Sequence, residues 1–175
     1  MRGGAVLALA LLAACGPKQP EGPPVGVSDR PGPTVPLDRP ISYVFDSLDD
    51  RPVSSDSMKG KPTVICFVVT GDIVGQAQVD FLVPMSRNDK GKVNYVLVAL
   101  HPRREITLVD TYVTTLKVDF PVALADPVTT TGSSGPFGEI GAVPTVVVLD
   151  REGRVVWKHT GLAKSDELRA HMHGL

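Results

Sequence analysis

Residues 41–175 alternate between apolar runs typical of strands and segments in which apolar residues recur at helical spacing. Three runs are continuous and rich in β-branched residues, which favours strands buried on both faces: Thr63–Thr70, Val93–Leu100 and Thr145–Leu149. Two segments have apolar residues along one helical face, Asp72–Met85 and Glu105–Leu116. The alternation predicts an α/β fold with a mixed central sheet and helices on both faces.

Shorter elements are predicted before and after this core. Two short strands flank the Asp49-Asp50 turn, and a hairpin turn ending in Gly153 connects the third long strand to a returning strand. Ser165 is predicted to cap a last helix, with His171 and His173 near its C-terminal end, where the helix dipole favours positive charge. The additional predicted strands are Ser42–Asp46, Pro52–Ser54 and Val155–His159.

The first residues have the pattern of an export signal. Arg2 precedes an apolar stretch, Ala5–Ala14, that is too short to span a bilayer but has the length of a signal-peptide core. The stretch ends in Leu12-Ala13-Ala14-Cys15, which resembles the lipobox of bacterial lipoproteins. This resemblance implies that residues 1–14 are a signal peptide and that Cys15 is lipidated. An ordinary signal peptide followed by a chance cysteine is the alternative.

The segment from the lipobox cysteine to Pro40 has the composition of a tether. It contains eight of the 16 prolines and no aromatic residue. Such a stretch buries too little apolar surface to offset its chain entropy, which predicts a disordered linker over residues 15–40 and a folded domain over residues 41–175. A proline-rich ligand for an aromatic groove is the other interpretation.

Composition and charge exclude several classes of protein. The 175 residues carry 18 Lys+Arg and 19 Asp+Glu, so the electrostatic footprint of a nucleic-acid binder is missing from the sequence. Two cysteines cannot build a disulfide-rich scaffold or a cysteine-based zinc site. Neither a metal nor another cofactor is expected.

Four motifs of the predicted domain resemble the thioredoxin-like superfamily, in particular the TlpA-type redoxins of bacterial envelopes. The resemblance covers residues 41–162 and is most specific at Gly141-Ala142-Val143-Pro144-Thr145 and at the following hairpin. It implies a three-layer α/β/α thioredoxin-like fold with a mixed central sheet. The motifs lie at Asp49–Val53 with Met58–Pro62, at Cys66–Thr70, at Gly141–Thr145 and at Leu149–Val155.

The same resemblance implies a peptide-binding groove. Pro144 would be a cis-proline, and the backbone of Val143 would pair with an extended peptide as an added strand does. Thr145 completes this motif, and fold analogy places Phe137 at the border of the groove.

The resemblance also exposes a departure, because the family's two redox cysteines fall on Asp72 and Gly75. Thiol–disulfide exchange needs an attacking thiolate and a second sulfur, and a carboxylate replaces neither. Peroxidase chemistry and copper binding by paired cysteines are weakened for the same reason. Asp72 is instead predicted to be the N-cap of the first core helix.

Two further residues carry weaker signals. Cys66 lies between Ile65 and Phe67 within a buried strand, which favours an inert core thiol; pairing with another chain is the minority view. His101 follows a core strand, and it is interpreted as a solvated loop histidine.

The sequence therefore favours a lipid-anchored thioredoxin-fold protein without the redox pair. Its expected role is a non-catalytic module that binds a protein or peptide, or serves assembly, in the cell envelope. The alternative is a thiol-disulfide oxidoreductase or peroxidase-type redoxin that uses Cys66, and a structural spacer is a third reading. Gly16 after the cysteine favours the outer membrane, facing the periplasm.

Overall fold

The computed structural model describes residues 38–132 and 135–175, together with Met1. The predicted signal peptide, Cys15 and most of the predicted linker lie outside the described residues. No helix of the described part is long and apolar enough to cross a membrane. The seven strands are β1 (Val44–Ser47), β2 (Val53–Ser54), β3 (Thr63–Val68), β4 (Asn94–Leu100), β5 (Val122–Ala125), β6 (Thr145–Leu149) and β7 (Val155–Thr160).

The strands form one mixed sheet in the order β2-β1-β5-β4-β3-β6-β7. β3, β4 and β5 are parallel neighbours, whereas β6 pairs antiparallel with both β3 and β7. β1 pairs antiparallel with β5 and with β2. The parallel pairs need crossover connections, which the helices after β3 and β4 provide.

Five helices accompany the sheet. The longest one contains Pro84, whose side chain points to solvent, and the helix continues past it for a further turn. A short 3-10 turn, Arg103–Glu105, precedes the helix after β4. The helices are α1 (Ser55–Met58), α2 (Ile73–Asp89), α3 (Ile106–Thr115), α4 (Pro127–Thr130) and α5 (Ser165–Met172).

The two faces of the sheet bury two apolar clusters. The first lies under α2, α3 and α5 and includes Cys66 and Leu82. The second includes Phe67 and Phe137, and α1 and the segment before β6 cover it. The predicted mixed sheet with helices on both faces is confirmed. The three long helices all pack on the first face, so the second layer consists of the four-residue helix α1 and irregular segments.

The structure differs from the sequence prediction at several elements. β5, α1 and α4 were not predicted, because each has four residues and too little pattern to be recognised. α2 extends to Asp89 instead of ending at Met85. Ser165 is the first helical residue of α5; Lys164 occupies the N-cap position and its side chain makes no capping hydrogen bond. Gly153 has the positive φ of +85° that the hairpin turn requires.

Candidate functional site

One edge of the sheet collects several of the residues that the sequence singled out. Val68 of β3 pairs with Ala99 of β4, and Phe67 pairs with Thr145 of β6. The C-terminal ends of β3 and β4 therefore meet the N-terminal end of β6 at this edge. Sites of α/β sheets commonly form outside the carboxyl ends of strands.

Asp72 lies at this edge as the N-cap of α2. Its Oδ2 accepts a hydrogen bond from the Gly75 N–H at 2.7 Å, and its Oδ1 accepts one from the Val74 N–H at 3.3 Å. Its backbone is extended, with φ −92° and ψ 120°. The predicted cap is confirmed: the carboxylate satisfies two of the amides that a helix start leaves unpaired.

Gly75 is buried directly behind this carboxylate. A Cβ at position 75 would lie 3.0 Å from Asp72 Oδ2 and 3.5 Å from Val68 Cγ1. The first distance is tighter than nine in ten real Cβ contacts, so a larger residue would require the carboxylate to shift by a few tenths of an ångström. Asp72 and Gly75 are thus closely packed against each other.

Cys66 lies far from water in the middle of β3. Its side chain is completely buried, with Leu97 and Val146 opposite it on the neighbouring strands. Burial strongly raises the pKa of the thiol, because the thiolate would lose its hydration. Since the thiolate is the reactive form, this position favours an inert thiol over a catalytic one.

The loop before β6 contains the cis-proline that the resemblance implies. The Val143–Pro144 peptide bond is cis. The Thr145 hydroxyl donates to the Ala142 carbonyl at 2.7 Å, and the Gly161 N–H donates to the Pro144 carbonyl at 2.8 Å. Pro144 and Thr145 are buried, Val143 is half-buried, and among the described residues the Val143 N–H and C=O have no hydrogen-bond partner. This main chain is therefore unpaired within the described part of the chain.

Phe137 does not line the surface of this loop. Its side chain is 2% exposed and packs against the rings of Tyr43, Phe45 and Phe67, at centroid distances of 5.2, 5.8 and 5.2 Å. The expectation that it borders the groove is therefore wrong for the side chain, because burying an aromatic ring in the second core cluster is more favourable than exposing it.

Apolar side chains are exposed at the same edge as Asp72. Ile73 and Val74, the first two residues of α2, are 82% and 44% exposed, and Leu162 after β7 is 38% exposed. Single exposed apolar residues are normal, but three at one sheet edge beside unpaired main chain favour a contact surface.

His101 is more structured than the sequence indicated. Its side chain is only 12% exposed, and its Nδ1 lies 2.8 Å from Glu105 Oε2. Its Nε2 accepts a hydrogen bond from the Thr70 N–H at 3.0 Å and lies 3.2 Å from the Thr70 hydroxyl. The interpretation as a solvated loop histidine is wrong, because the parallel pairing of β3 and β4 brings Thr70 to it from a distant part of the sequence.

Gln78 is a structural residue that the sequence analysis missed. Its side chain is fully buried, donates to the Ala163 carbonyl at 3.1 Å and accepts from the Ala163 N–H at 2.7 Å. This pair connects α2 to the segment before α5. The only signal for this role in the sequence was an amide side chain at a position on the apolar face of α2.

The remaining candidates do not join this edge. His171 lies in the last turn of α5 as expected and stacks on Trp157, with ring centroids 4.7 Å apart. His173 is the residue that ends the helix. In the described part of the chain, no three metal-ligating side chains are grouped so as to hold a metal ion.

Comparison with solved structures identifies the fold. The class defined by the sheet order, the helix after β3 and the cis-proline before β6 is the thioredoxin-like fold. The chain is similar to a DsbF homologue from Corynebacterium diphtheriae, with 18% identity, a TM-score of 0.68, and coverage of 78% of this chain and 86% of that one. No family model and no curated protein matches the chain.

Two other structures support the same conclusion. A thioredoxin-family thiol:disulfide interchange protein from Chlorobium tepidum TLS is 21% identical, with a TM-score of 0.64, over 77% of this chain and 92% of that one. A secreted disulfide oxidoreductase from Mycobacterium tuberculosis is 19% identical, with a TM-score of 0.61, over 76% and 96% of the two chains. The structural neighbours are thus thioredoxin-fold thiol:disulfide oxidoreductases, whereas this chain contains no C-x-x-C sequence.

Proposed function

We propose that this protein is a lipid-anchored envelope module that binds an extended protein segment and performs no thiol–disulfide exchange. The observation that carries the proposal is the unpaired main chain of Val143, at the same sheet edge as exposed apolar side chains. An extended peptide can pair with such a backbone as an added strand, and its side chains gain specificity from the neighbouring apolar surface.

Three positions in the chain disfavour thiol chemistry. Asp72 and Gly75 carry no sulfur, and burial raises the pKa of the Cys66 thiol, which favours its unreactive protonated form. A redoxin that used Cys66 would have to open β3, an interior strand paired with β4 and β6, to expose the thiol. The oxidoreductase alternative is therefore not favoured, although the structural neighbours have that activity.

The proposed location is the periplasmic side of the outer membrane. It is supported by the lipobox ending at Cys15 and the glycine after it. One structural neighbour is described as a secreted protein, which is consistent with export. A proline-rich linker over residues 15–40 would hold the domain away from the lipid surface.

The proposal is tested by selecting binding peptides from a display library and mapping their site by NMR. We expect the Val143 amide to shift and its hydrogen exchange to slow when the peptide binds. N-methylation of the peptide amide that pairs with the Val143 carbonyl should abolish binding, whereas methylation of a neighbouring amide that faces away should not.

A matched substitution separates the groove from other surfaces. Val143→Asp should prevent binding, and Val156→Asp, at a partly exposed valine of β7, should leave it intact. Peptides that bind equally well to both variants, or no selected peptide at all, would contradict the proposal and favour a structural spacer.

A further inference from the structure

Three polar side chains form a continuous hydrogen-bonded chain beside the start of α2. Glu105 Oε2 lies 2.8 Å from His101 Nδ1, and His101 Nε2 lies 3.2 Å from Thr70 Oγ1. The carboxylate, the imidazole and the hydroxyl thus stand in the order found in nucleophilic hydrolases, within the distances that proton transfer requires.

The main chain fixes the tautomer of His101. A backbone N–H can only donate, so the bond from the Thr70 N–H to Nε2 at 3.0 Å requires a lone pair on Nε2. Nδ1 therefore carries the proton and donates it to the Glu105 carboxylate. This is the orientation in which an imidazole can accept a proton from the hydroxyl of Thr70.

The position of Thr70 suits a nucleophile. It lies in the short turn between β3 and α2 and is only partly buried. A Cβ added at the next residue, Gly71, would have no atom within 4 Å, so the main chain directly after Thr70 borders open space. Among the described residues the Gly71 N–H has no acceptor, and an amide directly after a nucleophile can stabilise an oxyanion.

We propose that Thr70, His101 and Glu105 form a catalytic triad that hydrolyses carboxylic esters of small acyl groups. This activity goes beyond the binding function proposed above and does not depend on it, because the triad contains none of the groove residues.

The steps balance without a redox partner. The Thr70 oxygen bonds to the ester carbonyl carbon as its proton passes to His101 Nε2, and the resulting imidazolium is paired with Glu105. The carbon–oxygen bond to the leaving alcohol breaks, and that oxygen takes the proton from Nε2. Water then attacks the acyl-threonine, again giving a proton to Nε2, and release of the carboxylic acid restores the Thr70 hydroxyl.

The Thr70 N–H competes with the hydroxyl for the same lone pair. Proton transfer to Nε2 must break this bond, so we expect slow turnover and an acyl-enzyme that persists long enough to be detected. Detection of this covalent intermediate is therefore the most informative measurement.

The experiment uses p-nitrophenyl acetate and the full chain. The expected result is release of nitrophenolate together with an acetyl group on Thr70, located by mass spectrometry of the digested protein. Thr70→Val and His101→Gln should each lower the rate by about 100-fold, whereas Thr70→Ser should retain activity.

Surface imidazoles also react with this ester, so His171→Gln serves as the control and should leave the rate unchanged. Urea denaturation of each variant shows whether its fold is intact. The position of the acetyl group is determined on the protein without substitutions, so that result does not depend on the folding of any variant. Acetyl groups on lysine or other histidines only, or an unchanged rate in folded Thr70→Val, would overturn the proposal.

Discussion

The Asp72 carboxylate accepts a hydrogen bond from the Gly75 main chain at 2.7 Å. The two positions where the resemblance to TlpA-type redoxins places the redox cysteines are therefore hydrogen-bonded to each other. A helix start that can stabilise a thiolate here stabilises a carboxylate instead. At this helix start the side chain therefore has a structural role as the cap.

If the surrounding site is intact, restoring the sulfur pair should restore chemistry. Asp72→Cys combined with Gly75→Cys should give measurable insulin reduction, because the first cysteine would lie at the helix N-terminus, where a thiolate is stabilised. Removing Asp72 also removes the oxygen that a Cβ at position 75 would contact at 3.0 Å.

The single variants are the controls for this experiment. Asp72→Cys alone lacks a resolving sulfur, and Gly75→Cys alone displaces the cap, so neither should reduce insulin catalytically. A folded but inactive double variant would mean that the site around the two positions no longer supports exchange.

Gln78 provides a test of how α2 is held. Gln78→Leu keeps most of the side-chain volume but leaves the Ala163 N–H and C=O without partners in a buried environment. We expect the free energy of unfolding to fall by about 2–4 kcal/mol, since each orphaned buried group costs about 1–3 kcal/mol.

Gln76→Leu is the matched control, because Gln76 is exposed on the same helix. Its free energy of unfolding, measured by urea denaturation, should stay within about 0.5 kcal/mol of that of the unmodified protein. Equal losses in both variants would mean that the Gln78 amide contributes nothing specific.

An ion pair in the hairpin between β6 and β7 should make the stability of the fold sensitive to acid. Burial raises the pKa of the Asp150 carboxyl, but hydrogen bonds from the Arg154 main chain and guanidinium outweigh it, so the pKa lies below its usual value. A carboxyl with a lowered folded-state pKa stabilises the fold above the unfolded-state value of about 3.9, and this stabilisation is lost as the pH falls through the folded-state pKa.

We therefore expect Asp150→Asn to lower the urea midpoint at pH 7 and to flatten its decline between about pH 4 and pH 2. Asp110→Asn, at an exposed position of α3, should change neither quantity. The same decline in all three proteins would show that Asp150 has no part in it.

Much of the fold could be predicted from local patterns. The buried runs of β3, β4 and β6 are long, continuous and β-branched, so each was located to within about two residues of its true ends. The cap at Asp72 was also predictable, because its side chain bonds only to amides two and three residues further along the chain.

The missed features depend on contacts between distant parts of the sequence. The four residues of β5 become a strand because they pair with β4 and β1, and nothing in so short a run distinguishes it from a turn of helix. Phe137 is buried by three rings from two other segments of the chain, at β1 and β3. Thr70 and His101 are 31 residues apart in the sequence, and they come into contact only when β3 and β4 pair.

The most direct test of the central claim, that the scaffold presents no reactive thiol, is maleimide labelling of the folded protein, read on the peptide that contains Cys66. We predict no labelling until denaturant unfolds the domain, whereas Val128→Cys, at a side chain that is 86% exposed, should be labelled at once. Rapid labelling of Cys66 in the folded state, together with turnover of an oxidant, would contradict the account.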